Sequence, residues 1–436
     1  MTLSRIASTA VLGLAASLAL PAAAGAPQTR YPQAFLTDLG ATKLIGEADS
    51  DAPVAGVQVF VAAGLDRQAP NQSGVSALVA ECLERTPVDG VPLRDAVAAA
   101  GGSISYTVDG RSIHYYLESD PDRLPAVVAL TGRALAAPDF SRATLDAARA
   151  SLSKRVAELE GNALSVGIQM FRQSYYPNGV GAPAFGTTAT LANLGPAEVT
   201  AFYRATYKRS AVSASAVGKL SPGLGAALAS LASGLPEGPV SAVVERAKTI
   251  PAEAPRIVAH RDVGAPWVVV GYAAPSPNSK DFGAMLLLES LLAGAFDRTS
   301  TTSLGLVEKS VGAFYLYDST PASLVVYVNG SETDPSLALR EVLVVSRSLS
   351  LKPLGPDALK HFKTAAEGEF LTDSVSLSDR SYLLGTFASQ GLGTDSINAA
   401  LAQLENTTAA DVQRVAKKYL QRYIVALVLP RQSQSQ

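Results

Sequence analysis

The stretch GVSALVAECLER, residues 74–85, could carry out acid/base chemistry because it places two glutamates on one predicted helix. Its apolar residues recur at i, i+3, i+4, i+7 and i+8, which predicts an amphipathic helix with one face towards a core. Ala77, Ala80, Glu81 and Glu84 follow at i, i+3, i+4 and i+7 and therefore form a second row beside that face. Paired carboxylates on a helix are more typical of a solvated face than of a catalytic site. We therefore predict that both glutamates are solvated.

The histidine, serine and glycine patterns give little support to other chemistries. His114, His260 and His361 fall on a predicted hairpin, strand and helix, so a structural or surface role is favoured for each. No G-x-S-x-G elbow is present, which argues against a serine hydrolase. The glycine-rich run at 178–186 lacks the Lys-Ser/Thr of a phosphate-binding loop. A single cysteine, Cys82, excludes an internal disulfide.

The composition is that of a chain of 436 residues, which is long enough for two or three domains. Hydrophobic residues make up 47% and charged residues 17%, with 36 Lys plus Arg against 38 Asp plus Glu. A net charge of −2 creates no long-range field towards nucleic acids or an anionic membrane. No nucleic-acid partner is therefore expected.

The first 24 residues have the pattern of a secretory signal peptide. Arg5 precedes an apolar run from Ala10 to Leu20, and small residues follow at 22–25. The run is shorter than the about 20 residues of a membrane-spanning helix, so no membrane span is expected. We expect an exported protein, in a bacterial periplasm. A mitochondrial presequence, which would be richer in arginine, is the alternative.

Extended and helical patterns follow one another in the same order in both halves of the chain, which predicts an internal duplication of an α+β unit. The domains are predicted at 30–235 and 255–432, joined by a Pro/Gly/Ala-rich linker at 236–254. The first half is predicted to contain strands at 54–64 and 210–218, helices at 74–85, 93–102, 122–138, 141–161 and 196–207, and a hairpin about Asp109-Gly110. The second half is predicted to contain strands at 256–262, 266–275, 312–319, 322–330 and 422–430, and helices at 281–296, 334–351 and 356–371.

The predicted helix with the two glutamates resembles the zinc-binding helix of the M16 peptidases, the pitrilysin, insulinase and mitochondrial-processing-peptidase family. In that family, H-x-x-E-H supplies two zinc ligands and the general base, and a glutamate from a later helix is the third ligand. On this resemblance, Ala77 replaces the first His, Ala80 the general base and Glu81 the second His. Arg155, or its neighbour Lys154, replaces the third ligand. Because alanine carries no ligand atom, zinc is expected only in a partner chain.

Two longer stretches carry the same resemblance. The run AAAGGSISYTVDGRSIHYYLES resembles the family's G-G-x-x-N-A edge strand and hairpin, which bind the substrate backbone. The run at 175–210 resembles the family's segment that ends in a helix. The first of them implies an edge strand for peptide binding, with serine in place of the asparagine and tyrosine in place of the small residue, formed by Gly102, Ser103, Ile104, Ser105 and Tyr106.

A further resemblance concerns the substrate-binding Arg and Tyr that active members of the family, or their partner chains, carry in the second half. In LVEKSVGAFYLY, Val307 stands at the position of the Arg and Phe314 at that of the Tyr. Neither side chain can supply the charge or the hydrogen bond that polarises a scissile carbonyl. The resemblance therefore implies that this catalytic contribution is also lost.

The resemblance implies two homologous M16-type α+β domains, each a mostly antiparallel sheet packed with helices, which form half of a clam-shell. It implies that this chain is the non-catalytic subunit of a heteromeric zinc peptidase and that the partner chain carries H-x-x-E-H. The edge strand of this chain would then bind unfolded peptides. One alternative is a structural core subunit of a larger complex, like the core proteins of respiratory complexes. Another is a stand-alone peptide-binding protein.

Overall fold

A computed structural model describes residues 32–40, 42–176, 179–240, 248–303, 311–319, 321–329 and 334–431. The predicted signal peptide and Val307 lie outside these ranges, as does part of the predicted linker. Within the described ranges, no helix combines the length and the apolar character that crossing a bilayer requires.

Most strands of the first half form one six-stranded sheet. The strands of this half are β1 (Phe35–Asp38), β2 (Lys43–Ala48), β3 (Ala55–Val61), β4 (Pro87–Val88), β5 (Val91–Pro92), β6 (Gly102–Val108), β7 (Ile113–Ser119) and β8 (Val212–Gly218). The sheet has the order β1-β2-β8-β3-β7-β6, and β4 pairs with β5 in a separate ribbon. All neighbours in the sheet are antiparallel except β2 and β8. The strand β6 therefore forms one edge of the sheet.

The first half has eight described helices, and all of them except the one at Ala163–Tyr175 enclose a core on one face of this sheet. They are α1 (Val75–Arg85), α2 (Leu93–Ala99), α3 (Leu124–Ala136), α4 (Arg142–Glu160), α5 (Ala163–Tyr175), α6 (Thr188–Asn193), α7 (Pro196–Thr206) and α8 (Pro222–Leu231). The helix α1 contacts β6 and β7 on one side and α4 and α7 on the other. It is consequently buried along almost its whole length.

The second half repeats the plan with a five-stranded sheet. Its strands are β9 (Arg256–Arg261), β10 (Trp267–Ala273), β11 (Val311–Leu316), β12 (Ser323–Asn329) and β13 (Tyr423–Pro430), in the order β11-β12-β10-β13-β9. Only β13 and β9 are parallel. The helices are α9 (Phe282–Ser303), α10 (Pro335–Leu351), α11 (Pro356–Thr372), α12 (Leu377–Ser389), α13 (Ser396–Asn406) and α14 (Ala409–Tyr419). The predicted fold, two α+β domains with mostly antiparallel sheets, is confirmed.

Each sheet is covered on its second face by a helix from the other half of the chain. The helix α12 packs on β2, β3 and β8, while α5 packs on β10 and β13. Side chains alternate between the two faces of a strand, so Val57 and Val59 of β3 join the core around α1. The intervening Gln58 donates a hydrogen bond from its side-chain amide to the carbonyl of Ser378, at the start of α12, over 3.3 Å. The two halves are thus held together by an exchange of helices.

At each of these two contacts between a helix and a sheet, an aromatic ring packs against a glycine. At Gly271 of β10, an added Cβ would lie 2.1 Å from the ring of Phe171 in α5. At Gly385 of α12, it would lie 2.1 Å from the ring of Phe60 in β3. Because glycine has no side chain, the rings of Phe171 and Phe60 can pack directly against the backbone at these positions.

Replacing Gly271 by alanine should lower the free energy of unfolding by about 1–3 kcal/mol, because the new methyl group overlaps the fully buried ring of Phe171. Gly368 in α11 is the matched control, since no atom lies within 4 Å of an added Cβ there. Gly368→Ala should instead stabilise by about 0.5–1 kcal/mol through helix propensity. Urea denaturation of both variants measures the difference. Equal effects would contradict the packing of α5 on β10.

Candidate functional site

The two glutamates of α1 are buried, so the prediction of a solvated face was wrong. Glu81 and Glu84 are each 4% exposed, because neighbouring helices and β6 enclose α1 from both sides. Each carboxylate has an arginine partner: Arg85 one turn along for Glu81, and Arg94 of α2 for Glu84. Burial raises the pKa of Glu84, and the hydrogen bond from Arg94 opposes that change. Both acids are therefore buried carboxylates paired with arginines, and the side chain of Arg94 stays half-exposed.

The other two positions of the degenerate motif are apolar and closed to solvent. Ala77 and Ala80 are 0% exposed and belong to the core on the helix face of the first sheet. Between them and Glu81, α1 offers one carboxylate where the family's motif has three functional groups. The sulfur of Cys82 adds no nucleophile, since burial raises its pKa to about 12. The positions of the degenerate motif therefore provide one carboxylate and no imidazole.

The carboxylate of Glu81 is engaged on both oxygens by groups of the protein itself. One oxygen accepts a hydrogen bond from the guanidinium of Arg85, and the other accepts one from the hydroxyl of Tyr106 over 2.6 Å. Burial and the neighbouring Glu81 carboxylate raise the pKa of Tyr106 well above its ordinary value. Tyr106 therefore stays protonated and acts as the donor. Tyrosine at this position, where the family has a small residue, thus links β6 to α1.

Arg155 of α4 closes the same site from the solvent side. Its guanidinium carbon lies 4.1 Å from the ring centre of Phe185 and 6.0 Å from that of Tyr106. Its side chain is exposed, whereas Tyr106 is buried beneath it. The structure thus brings Glu81, Tyr106 and Arg155 together around the degenerate zinc position. The guanidinium thus lies over both aromatic rings and is closer to that of Phe185.

Sequence reasoning missed Phe185, whose side chain reaches this site from the loop before α6. The loop is held against α1 because Gly74 and Gly186 approach each other closely, so that a Cβ on Gly74 would lie 2.8 Å from the backbone of Gly186. Both glycines have left-handed φ angles, of 92° and 75°. The run of glycines was the only signal in the sequence, and it indicated a loop without indicating its neighbour.

The predicted edge strand is an edge strand of the first sheet. Gly101 makes the turn from α2 with a φ of 83°, and a Cβ on Gly102 would lie 2.7 Å from Val127 of α3. The two glycines therefore allow the start of β6 to pack closely against α3. Among the described strands, β6 pairs only with β7. The opposite edge of β6 is not paired with any described strand.

The register of the hairpin shows which backbone groups of β6 point outward. The amide of Asp109 donates to the carbonyl of Ser112 over 2.9 Å, which makes this closing pair a hydrogen-bonded one. Hydrogen-bonded and non-hydrogen-bonded pairs alternate along an antiparallel ladder. The backbone groups of Ile104 and Tyr106 consequently point away from β7. The side chains of Ser103 and Ser105 are exposed.

A small polar cavity of about 90 Å³ lies on the other face of β6, between the first sheet and α12. His114 lines it and is buried, which lowers its pKa to about 3 and keeps the imidazole neutral. Nδ1 of this ring lies 3.3 Å from Oε1 of Gln58. His260 and His361 are exposed on other elements. Within the described ranges, no group of three His, Cys, Asp or Glu side chains could hold a metal ion.

Phe314 lies in β11, at the edge of the second sheet. It is half-buried and stacks on Tyr327 of β12, with 5.1 Å between the ring centres. It therefore belongs to the second domain, whereas the degenerate zinc position and β6 belong to the first. Val307, the other residue of the predicted pair, lies outside the described residues.

Two family profiles match the chain in succession. The profile described as Insulinase (Peptidase family M16) matches residues 43–188, and the profile described as Peptidase M16 inactive domain matches residues 193–345. Together they cover more than half of the chain. Comparison with curated protein sequences finds no match.

Solved structures with the same fold include three bacterial proteins. A protease from Helicobacter pylori superposes with a TM-score of 0.81 at 15% identity, over 92% of this chain and 100% of its own. A peptidase M16 inactive domain protein from Pseudomonas fluorescens gives 0.79 at 17% identity, over 92% and 98%. An M16-like peptidase from Alicyclobacillus acidocaldarius gives 0.77 at 14% identity, over 91% and 98%. At these identities, the similarity concerns the fold.

Proposed function

This chain belongs to peptidase family M16, and we propose that it is the non-catalytic subunit of a heteromeric zinc peptidase. The zinc and the H-x-x-E-H motif are then supplied by a second chain, and this chain holds no metal of its own. The proposal includes export, most simply to a bacterial periplasm. Its support begins with the motif positions, where Ala77, Ala80 and Glu81 stand in place of the two histidines and the general base.

The observation that carries the proposal is the edge strand beside the degenerate site. The strand β6 lies at the edge of the sheet, and the backbone groups of its residues Ile104 and Tyr106 point outward. An extended peptide can join such an edge as an added strand, with affinity from main-chain hydrogen bonds. The site thus has the means to hold a peptide and lacks the means to cut it. A subunit that completes the peptide chamber of a catalytic partner needs to bind the peptide and does not need to cleave it.

Affinity purification of the tagged full chain from its native cells should recover a second M16 chain that carries H-x-x-E-H. The purified complex should cleave an extended, unstructured peptide and lose this activity on chelation of zinc. The chain alone should leave the same peptide intact. Mass spectrometry of the bound chains and a fluorescence-quenched peptide assay make the two measurements.

Strand addition has its own control in the peptide. Methylating the backbone nitrogens of alternate residues removes donors on one edge of the added strand and leaves those on the other edge. One of the two methylation registers should abolish binding to the full chain, while the other should leave it nearly unchanged. Equal loss in both registers would argue that the peptide binds without joining β6.

One observation favours a second candidate, a structural subunit of a larger complex. Phe314, at the position of the substrate-binding tyrosine, lacks a hydroxyl and packs against Tyr327. A scaffold subunit does not contact substrate, so the replacement of that tyrosine by phenylalanine would not impair its function. Recovery of membrane-bound redox subunits in the affinity purification, with no H-x-x-E-H chain, would support the scaffold and contradict the peptidase subunit.

A further inference from the structure

The degenerate zinc site retains one charged group that its neighbours do not neutralise. Arg155 forms no ion pair with any residue that the structure describes, although its side chain is exposed to solvent. Arg85, the other cation of the site, is already paired with Glu81. The second oxygen of that carboxylate accepts the Tyr106 hydroxyl. The positive charge of Arg155 is therefore available to a ligand.

The guanidinium of Arg155 is also held in a defined orientation. It stacks over Phe185 at 4.1 Å, and Phe185 is fixed in turn by the close contact of its loop with α1. A stacked guanidinium keeps its N–H groups free at the edge of its plane, where they can grip a carboxylate with two parallel hydrogen bonds. Less side-chain entropy is lost on binding than for a mobile surface arginine.

Arg155 lies close to the strand on which the peptide is proposed to bind. Its guanidinium lies 6.0 Å from the ring of Tyr106, and the backbone of Tyr106 is part of the outward edge of β6. A peptide added along this edge would lie next to Tyr106, the residue whose ring the guanidinium covers.

We propose that the degenerate site binds extended peptides that carry a carboxylate, which pairs with Arg155 while the peptide backbone joins β6. This proposal rests on the proposed function, since it assumes the added strand. The carboxylate can be the C-terminus of the peptide or an Asp or Glu side chain. In either case the arginine selects anionic peptides, so the site prefers the acidic end or acidic segment of a chain.

Three fluorescent peptides of one unstructured sequence separate the sources of the carboxylate. The first has a free C-terminus and no acidic residue, the second is its neutral C-terminal amide, and the third is the amide with one internal glutamate. The full chain should bind the first, the third or both about tenfold more tightly than the neutral amide, as expected for a hydrogen-bonded charge pair. Fluorescence anisotropy at low and high salt measures this, and the preference should shrink with salt.

Variants of the chain assign the preference to one residue. Arg155→Gln should reduce the tenfold preference to none, measured as the ratio of the variant's own affinities for the carboxylate peptides and the neutral amide. Arg155→Lys should keep part of the preference, because the charge remains without the planar fork. Arg142→Gln, at an exposed position in the first turn of the same helix, is the matched control and should retain the full preference.

The outcomes distinguish this proposal from the one on which it rests. Binding of the neutral amide, with no gain from either carboxylate, would overturn the role of Arg155 and leave strand addition intact. A preference that survives Arg155→Gln would equally overturn it. Failure of all three peptides to bind would overturn both proposals together.

Discussion

Replacing Arg380 by methionine should lower the free energy of unfolding by about 3–5 kcal/mol, because it leaves a buried carboxylate without its cation. Arg380 of α12 donates from Nε and Nη2 to one oxygen of Glu47 in β2, over 3.0 and 2.8 Å. The two side chains are only 4% and 9% exposed. They are 333 positions apart in the sequence, so the pair joins the two domains. Urea denaturation, with the midpoint and the slope both fitted, measures the loss.

Two further variants test whether burial causes the loss. Glu47→Met together with Arg380→Met should recover most of the stability, since apolar replacement of both partners removes the unpaired charge. Arg133→Met breaks a surface pair with Asp89, whose side chains are 53% and 67% exposed, and should have little effect. A loss for Arg380→Met no larger than that for Arg133→Met would contradict a desolvated link between the domains.

The fold could be predicted largely from hydrophobic periodicity, because most elements present one clear face to one neighbour. The hairpin of β6 and β7 is an example, since alternation and the Asp109-Gly110 pair both indicate it. The side chain of Asp109 then closes the loop by accepting the amides of Arg111 and Ser112 over 2.7 and 2.6 Å. Local sequence contains both the strands and the turn, so local reasoning found them.

The helix α12 shows why other elements escaped prediction. Its sequence, LSDRSYLLGTFAS, is polar enough to suggest exposure, yet every residue from Arg380 to Phe387 is buried. The polar groups are satisfied by distant parts of the chain: Arg380 by Glu47, and the carbonyl of Ser381 by the Ser215 hydroxyl of β8. Such contacts depend on the exchange of helices between domains, which no periodicity in one segment encodes. The same applies to α5, whose apolar face packs on the second sheet.

At the candidate site, the sequence shows which residues are present, but it does not show their environment. The spacing of Glu81 and Glu84 indicates a polar row, but tertiary packing of α4 and β6 over α1 decides that the row is buried. Pairing with Arg85 and Arg94 makes this burial tolerable. The sequence places tyrosine at 106 in place of a small residue. Only the structure shows that the Tyr106 hydroxyl donates a hydrogen bond to the Glu81 carboxylate.

Restoring the zinc motif should give a chain that retains about one zinc ion, provided that Tyr106 is also removed. The five changes are Ala77→His, Ala80→Glu, Glu81→His, Arg155→Glu and Tyr106→Ala. Two histidines at i and i+4 with one glutamate form the ligand set of catalytic zinc sites. The buried Tyr106 ring lies between β6 and α1, with its hydroxyl 2.6 Å from Glu81, so its removal provides room for the larger side chains. Metal analysis after dialysis measures zinc per chain.

Matched variants separate the alignment from the available space. The four-residue variant that keeps Tyr106 should bind far less zinc, because the new side chains are forced into a filled core. Exchanging Arg155→Glu for Lys154→Glu in the five-residue variant should also lose zinc, since the stacked position of Arg155 marks the side of α4 that faces the site. The unmodified chain should hold no stoichiometric zinc. If the five-residue variant keeps its circular dichroism spectrum and still binds no zinc, the assignment of α1 and α4 to the family's ligand positions is wrong.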